Sequence, residues 1–398
     1  MNWLRTTIGE HCTVTSSKRF HIEDRSESGV PFFCSKEIIQ LVNGQEVLDC
    51  DYIREEAYEQ VKRQYGVPIA GDLLITTRGT YGIPYLYRDT DRFYFADGNL
   101  TWLKDFDGLL TAPFLYYWIR SYEGQSKIDA IAKGTAQKAV PIAEIKNIVI
   151  NLPPVETQRH IACILSAYDS LIETNQRQIK LLEEAAQRLY KEWFVNLRYP
   201  GHENVPVVDG VPEDWKKQSM EEIAEYLNGF AFKPSDWGTI GMPIIKIKEL
   251  NEGVTVDTPR NSGLEIPAKY LIKSGDIVFS WSATLTAKIW DSENGLLNQH
   301  LFKVTPRKGI GREFVLQSIL KTLDEFANLT TGATMKHIQR GKLSQVFVAV
   351  PIETVMNAFE EHASAIRDEI LYLSKSNQLL SEARDRLLPK LMSGEIAV

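Results

Sequence analysis

The sequence predicts a mixed α+β protein. Two copies of one globular module are joined by two long antiparallel helices that pair as an intramolecular coiled coil, with pseudo-twofold symmetry. Three observations carry this expectation. Gly134-Thr135-Ala136-Gln137-Lys138 matches Gly332-Ala333-Thr334-Met335-Lys336 at an offset of 198 in the 398-residue chain. That offset holds through Pro153 and Pro351 to Leu181-Leu182-Glu183-Glu184-Ala185 and Leu379-Leu380-Ser381-Glu382-Ala383. Finally, each repeat ends in a heptad seam, the pattern of helices that supercoil.

The modules are expected at residues 1–153 and 199–350. Earlier matches between them drift: Pro31 and Lys36-Glu37 pair with Pro243 and Lys248-Glu249 at offset 212, Gly71-Asp72-Leu73-Leu74 with Gly275-Asp276-Ile277-Val278 at 204, and Phe114 with Phe314 at 200. Drift of this kind means loop insertions inside a shared scaffold. Strand-like runs at 72–77 and 276–280, punctuated by Gly and Pro, read as loop-rich α/β structure. A linker follows the first helix, where Pro200-Gly201, Pro206, Gly210 and Pro212 break any periodic pattern.

The helices are expected at 154–198 and 351–398. The first seam runs Ile161, Leu165, Tyr168, Ile172, Asn175, Ile179, Leu182, Ala186, Leu189 and Trp193. The second runs Phe359, Ala363, Ile366, Ile370, Leu373, Asn377, Leu380, Arg384, Leu387 and Leu391. Each holds one Asn, in layer five of the first and layer six of the second. Only an antiparallel pairing brings these two together, and a buried amide without a partner costs about 1–3 kcal/mol. The same register sets Trp193 against Phe359, Ile161 against Leu391, and Tyr168 opposite Arg384, whose guanidinium would lie on the ring. A helix of about 40 residues is roughly 60 Å long, which suits a spacer between two half-sites on a duplex.

Composition narrows the function classes. With 43% hydrophobic and 24% charged residues the chain is neither disordered nor membrane-spanning. The N-terminal stretch has no apolar core of signal-peptide length, and Cys12, Cys34, Cys50 and Cys163 show no CxxC spacing, which reads as a reduced, cytoplasmic protein. The net charge of −7 argues against a polybasic nucleic-acid binder. The first module has 17 basic and 20 acidic side chains and the second 17 and 18, so any phosphate-binding surface must be a local patch.

Chemistry-bearing motifs are absent. Gly341-Lys342-Leu343 lacks the rest of a P-loop, there is no HExxH or GxSxG, and no two of the seven histidines stand at metal-ligand spacing. Asn151-Leu152-Pro153-Pro154 is only superficially like the Asn-Pro-Pro-aromatic signature of amino-directed DNA methyltransferases. No catalytic or metal-binding residue is therefore assigned. Candidate DNA contacts are Lys18 and Arg19, then Thr77, Arg78 and Tyr81, then Lys133 and Lys138, then Lys246 and Lys248, then Lys336 and Arg340. Arg and Lys clamp phosphates, Arg reads guanine, and Thr contacts either.

Leu152-Pro153-Pro154-Val155-Glu156-Thr157-Gln158-Arg159-His160-Ile161 resembles the motif opening the first helical region of Type I restriction–modification specificity subunits. Leu387-Leu388-Pro389-Lys390-Leu391-Met392-Ser393-Gly394-Glu395-Ile396 is similar to that family's C-terminal signature, as are Trp193-Phe194-Val195 before the Pro-Gly linker and Gly71-Asp72-Leu73-Leu74. The resemblance covers essentially the whole chain. The second helix start, Pro351-Ile352-Glu353-Thr354-Val355, lacks the Gln-Arg pair of the first, which leaves the equivalence of the two ends open.

The resemblance implies that both modules are target recognition domains, each reading half of a bipartite asymmetric double-stranded DNA sequence. It implies that the helices set the spacer and dock two modification subunits, which carry S-adenosylmethionine and methylate adenine. Restriction subunits, with motor and nuclease activity and their ATP and Mg, can join. On this reading the chain itself has no active site and binds no cofactor. The alternatives are a single-chain methyltransferase or nuclease with a cryptic site, against which the missing motifs weigh, and a coiled-coil scaffold without a DNA role. The second is the poorer account of divergent, loop-rich modules on a retained helix pair.

Overall fold

The computed structural model describes residues 3–134, 138–282, 285–328 and 340–398, with the side chains of Ile22 and Arg340 outside the description. The chain forms two compact units, Met1–Thr174 with Leu379–Val398, and Asn175–Gln378. Each unit therefore takes one module and a portion of both long helices, Val155–Tyr190 and Glu353–Met392.

In the first unit, Leu4–Thr7 pairs antiparallel with Val149–Leu152, tying the chain start to the strand that leads into the first long helix. The central sheet is antiparallel, in the order Thr13–Thr15, Leu100–Lys104, Leu73–Thr76, Pro84–Leu86. A smaller sheet runs Arg25–Ser26, Asp51–Ile53, Val30–Phe33, Tyr94–Phe95, with its last two strands parallel. All four residues of Leu73–Thr76 are buried. The reason is that both faces are covered: Leu73 and Ile75 enter one core cluster and Leu74 another. A strand buried on both faces loses the polar alternation of a half-solvated one.

The second unit repeats this plan. Lys216–Ser219 pairs with Phe347–Val350. The central sheet runs Ala224–Asn228, Leu301–Pro306, Ile277–Ser280, Thr286–Ile289. These strands correspond one for one with those of the first unit, and Ile277 and Phe279 again face one cluster while Val278 faces another. The smaller sheet keeps the parallel pair, here Met242–Ile245 with Gly295–Leu297, but its edge strands differ. The edges are where the drifting offsets had placed insertions. Phe114 and Phe314, on the equivalent helices Ala112–Arg120 and Arg312–Lys321, are both fully buried. Each contributes about 1.5–3 kcal/mol by burial.

All twenty seam positions of the long helices are buried or half-buried. Within the first unit Ile161 and Leu391 share one core cluster. Within the second, Trp193 and Phe359 rings lie 5.9 Å apart, and Asn175 Nδ2 donates to Asn377 Oδ1 at 2.8 Å. In both units the helix portions run antiparallel. The first helix ends in a π-turn, Lys191–Val195, whose wider turn lets adjacent Trp193 and Phe194 both bury.

Two expectations need correction. Arg384 does not rest on the Tyr168 ring: its Nη1 lies 2.6 Å from Asp169 Oδ1, because a neighbouring carboxylate attracts a guanidinium more strongly than a ring face does. The linker after the first helix is also not wholly irregular. Val207–Val208 and Val211–Pro212 pair as a hairpin, closed by Asp209 and Gly210 at φ 50° and 80°. Asp-Gly is the dipeptide that such a two-residue turn favours.

Candidate nucleic-acid interface

The first unit's candidates converge on one end of its central sheet. Antiparallel order brings together the C-terminal ends of Thr13–Thr15 and Leu73–Thr76 with the N-terminal end of Leu100–Lys104. From this end leave Ser16 to Arg19 and Thr77 to Tyr81. Lys133, Ala139 and Val140 join them, since Ala139 bridges to both Arg78 and Lys133, and Val140 N donates to Thr77 O at 2.9 Å. Lys18, Arg78 and Lys138 are exposed and meet no carboxylate within ion-pair distance among the described residues. Lys18 Nζ sits 4.9 Å from the Tyr65 ring centre. Arg19 pairs with Asp97 at 2.9 Å and Lys133 with Glu144 at 2.7 Å. Tyr81 is half-buried against the core.

Thr77 is a correction. It is 4% exposed, its N donates to Asn99 O and its own carbonyl accepts from Val140, so it extends the sheet rather than presenting a hydroxyl to a ligand. Lys336 lies outside the described residues, as does the side chain of Arg340.

The opposite end of this sheet has the other sign. There the strands meet Glu10, Asp72, Asp89, Asp91, Asp105 and Asp107, with Arg88 and Lys104 among them. A module near neutrality thus separates its charge along the sheet, leaving exposed cations at one end and a cluster of carboxylates at the other.

Sequence reasoning missed Lys36 at the basic end. It follows Ser35, whose Oγ donates to Asn99 O at 3.1 Å, and it is exposed. The repeat had already paired it with Lys248, which was the available signal. The second unit sets Lys246 and Lys248 equivalently: Lys246 directly follows strand Met242–Ile245, and Asn298 N donates to Ile245 O at 3.0 Å. Lys248 is exposed, while Lys246 Nζ lies 4.8 Å from the Trp237 ring centre. The acids beside these lysines act within the fold. Glu37 Oε2 accepts from Cys34 N at 2.8 Å and Glu249 Oε2 from Lys246 N at 3.1 Å, each closing a helix start.

Other polar clusters hold the modules to the helices. Gln158 is fully buried: its Oε1 accepts from Thr111 N at 2.9 Å and Thr111 Oγ1 at 3.2 Å, and its Nε2 donates to Leu109 O and Pro153 O. In the second unit the position 198 residues on is Met356, and Glu360 takes over, accepting from Phe314 N at 2.8 Å and Glu313 N at 3.2 Å. Asp169 accepts from Tyr117 Oη, Arg120 and Arg384. Burial alone would raise its carboxyl, but the two guanidiniums outweigh this and hold it below the ordinary range. Glu313 is the reverse. Burial and the nearby Glu360 prevail over Arg367 at 3.0 Å and push it up to about 7. Thr6, His11 and Asp107 form a hydroxyl–imidazole–carboxylate row, but Thr6 also bonds Glu10 and is 6% exposed, so the row braces the chain start.

No helix among the described residues is long and apolar enough to cross a membrane. A family model for the Type I restriction modification DNA specificity domain matches residues 2–184 and 212–355. The Type I restriction enzyme MjaIX specificity subunit of Methanocaldococcus jannaschii is 22% identical, over 82% of this chain and 78% of the relative. The MjaVIII specificity subunit of the same organism is 26% identical over 72% and 70%. A crystal structure of the Type I restriction–modification S subunit from M. genitalium shares the fold, with a TM-score of 0.57 at 15% identity, covering 98% of this chain and 96% of that one. With both repeats matched, the chain belongs to the Type I restriction–modification DNA specificity family.

Proposed function

We propose that this chain chooses the DNA sequence on which a Type I restriction–modification complex acts, and carries out no chemistry itself. Residues 1–153 and 199–350 serve as target recognition domains, each reading one half of a bipartite asymmetric duplex target. The helices at 154–198 and 351–398 set the spacer and dock two methyltransferase subunits. Those subunits hold S-adenosylmethionine and methylate adenine. Restriction subunits with ATP and Mg join the same assembly, in the cytoplasm. The observation that supports this most is the duplicated sheet end, basic in a module whose charge otherwise cancels, on a scaffold that both repeats retain. Phosphate contacts made there fix orientation while neighbouring loops read bases.

The test is methylation mapping of cells that co-express this chain with its modification subunits. A bipartite, asymmetric set of methylated adenines, absent when the chain is omitted, is the expected result. Methylation without sequence preference, or unchanged by omission, overturns the reading.

A further inference from the structure

The loop that passes from the smaller sheet to the central sheet sits at the basic end of both modules. In the first unit it is 96–99, between Tyr94–Phe95 and Leu100–Lys104; in the second it is 298–300, between Gly295–Leu297 and Leu301–Pro306. Its backbone is held in each case. Asn99 O accepts from Thr77 N at 2.8 Å and from Ser35 Oγ at 3.1 Å, and those donors directly precede Arg78 and Lys36. Gln299 N donates to Phe230 O at 2.9 Å, and Leu301 N to Asn298 O at 3.0 Å. Gly229 packs so closely that a Cβ there would meet Asn298 O at 2.2 Å. The loop is thus rigid, and a side chain it presents is pre-positioned.

Both loops present an amide. Asn99 is half-buried, and among the described residues no hydrogen bond engages its side chain. Gln299 is exposed, its Nε2 3.4 Å from His300 Nε2. A side-chain amide donates and accepts at once, matching N7 and N6 on the major-groove edge of adenine. Exposed cations with no carboxylate partner among the described residues stand on the segments that hold each loop: Arg78 and Lys36 follow the two donors to Asn99 O, and Lys248 lies three residues past Ile245, whose carbonyl accepts from Asn298 N.

Building on the functional reading above, we propose that Asn99 and Gln299 are base-reading residues, each taking an adenine edge in its own half-site. Asn99→Ala and Gln299→Ala, in the chain co-expressed with its modification subunits, are assayed for binding to a duplex library randomised in both half-sites. Each variant is expected to lose about tenfold to a hundredfold discrimination at one base pair of one half-site, with non-specific binding unchanged. Gln299→Glu, which can only accept, shifts preference at that position from adenine toward cytosine. Lys248→Ala lowers the salt dependence and leaves the preferred sequence intact. Variants that keep full discrimination, or lose affinity equally for every sequence, overturn the assignment. A wild-type complex without any sequence preference overturns the functional reading itself, and the assignment with it.

Discussion

Asn175 and Asn377 meet side chain to side chain, Nδ2 to Oδ1 at 2.8 Å, among the apolar layers of the second unit. Asn175 is 6% exposed. Neither amide has a reason to be buried alone, and together they satisfy one another. One register is favoured, because a shift by a layer would set each amide against an aliphatic side chain.

The corresponding prediction is non-additive. Asn175→Leu and Asn377→Leu alone each leave one buried amide unpaired and cost about 1–2 kcal/mol, whereas the double variant costs less than their sum and is close to neutral. Urea denaturation of the four proteins gives the coupling. Strict additivity would show that the contact does not fix register.

Gln158 predicts a different cost, because its partners are backbone. Gln158→Ala strands Thr111 N, Leu109 O and Pro153 O, which the amide serves in the native state. A loss of about 3 kcal/mol follows from one cavity and at least one unsatisfied buried group. Amide hydrogen exchange should quicken first at 109–115, where Gln158 pins the start of helix Ala112–Arg120. Unaltered exchange there would show that Gln158 does not pin this helix start.

The seam and the repeat were legible in the sequence because helix pairing imposes a fixed period, and any insertion would misalign every layer beyond it. Even the layer of each Asn could be read. The basic sheet end was not, since Lys18, Lys36, Arg78 and Lys138 are brought together only by strand order, and whole-module charge hides them. Thr77 was misjudged because nothing local distinguishes the last extended residue of a sheet from the first residue of a loop. Lys36-Glu37 and Lys248-Glu249 were recognised as a repeat, but two roles were packed into each pair: the acid caps a helix while the base faces solvent. The Tyr168–Arg384 stack failed because seam geometry ignores Asp169 one residue away.

Asp169 and Arg367 stand 198 residues apart, and they predict opposite pH responses. The Asp169 carboxyl is held below its ordinary value, so its contribution is present above about pH 4 and is lost as pH falls through the folded pKa. Asp169→Asn should cost about 2–3 kcal/mol at pH 7, with the gap closing in acid. The carboxyl facing Arg367 is Glu313, with Glu360 and Arg312 also beside it, and it is pushed up to about 7. Its contribution is complete below about pH 4.5 and lost as pH rises through 7. Glu313→Gln should match wild type near pH 4 and exceed it by about 1–3 kcal/mol at pH 8. Denaturation midpoints across about pH 2–8 check both. Parallel curves for wild type and Glu313→Gln would mean that Arg367 keeps the carboxylate ionised throughout.

Arg78 and Lys133 share the basic sheet end but not the same circumstances. Arg78 is exposed and opposed by no carboxylate among the described residues, whereas Lys133 already holds Glu144 at 2.7 Å. A phosphate that meets Arg78 gains a new partner; one that meets Lys133 must compete with an ion pair already made. Removing a cation that neutralises one phosphate lowers the slope of log affinity against log salt by about 0.9. Arg78→Ala in the assembled complex should therefore lower that slope by about one and weaken all sequences alike. Lys133→Ala should change it less, and Lys133→Ala with Glu144→Ala should resemble wild type, since the pair leaves together without altering net charge. Titrations at several salt concentrations separate these cases. An Arg78→Ala complex with an unchanged slope would place the phosphate path elsewhere on the module.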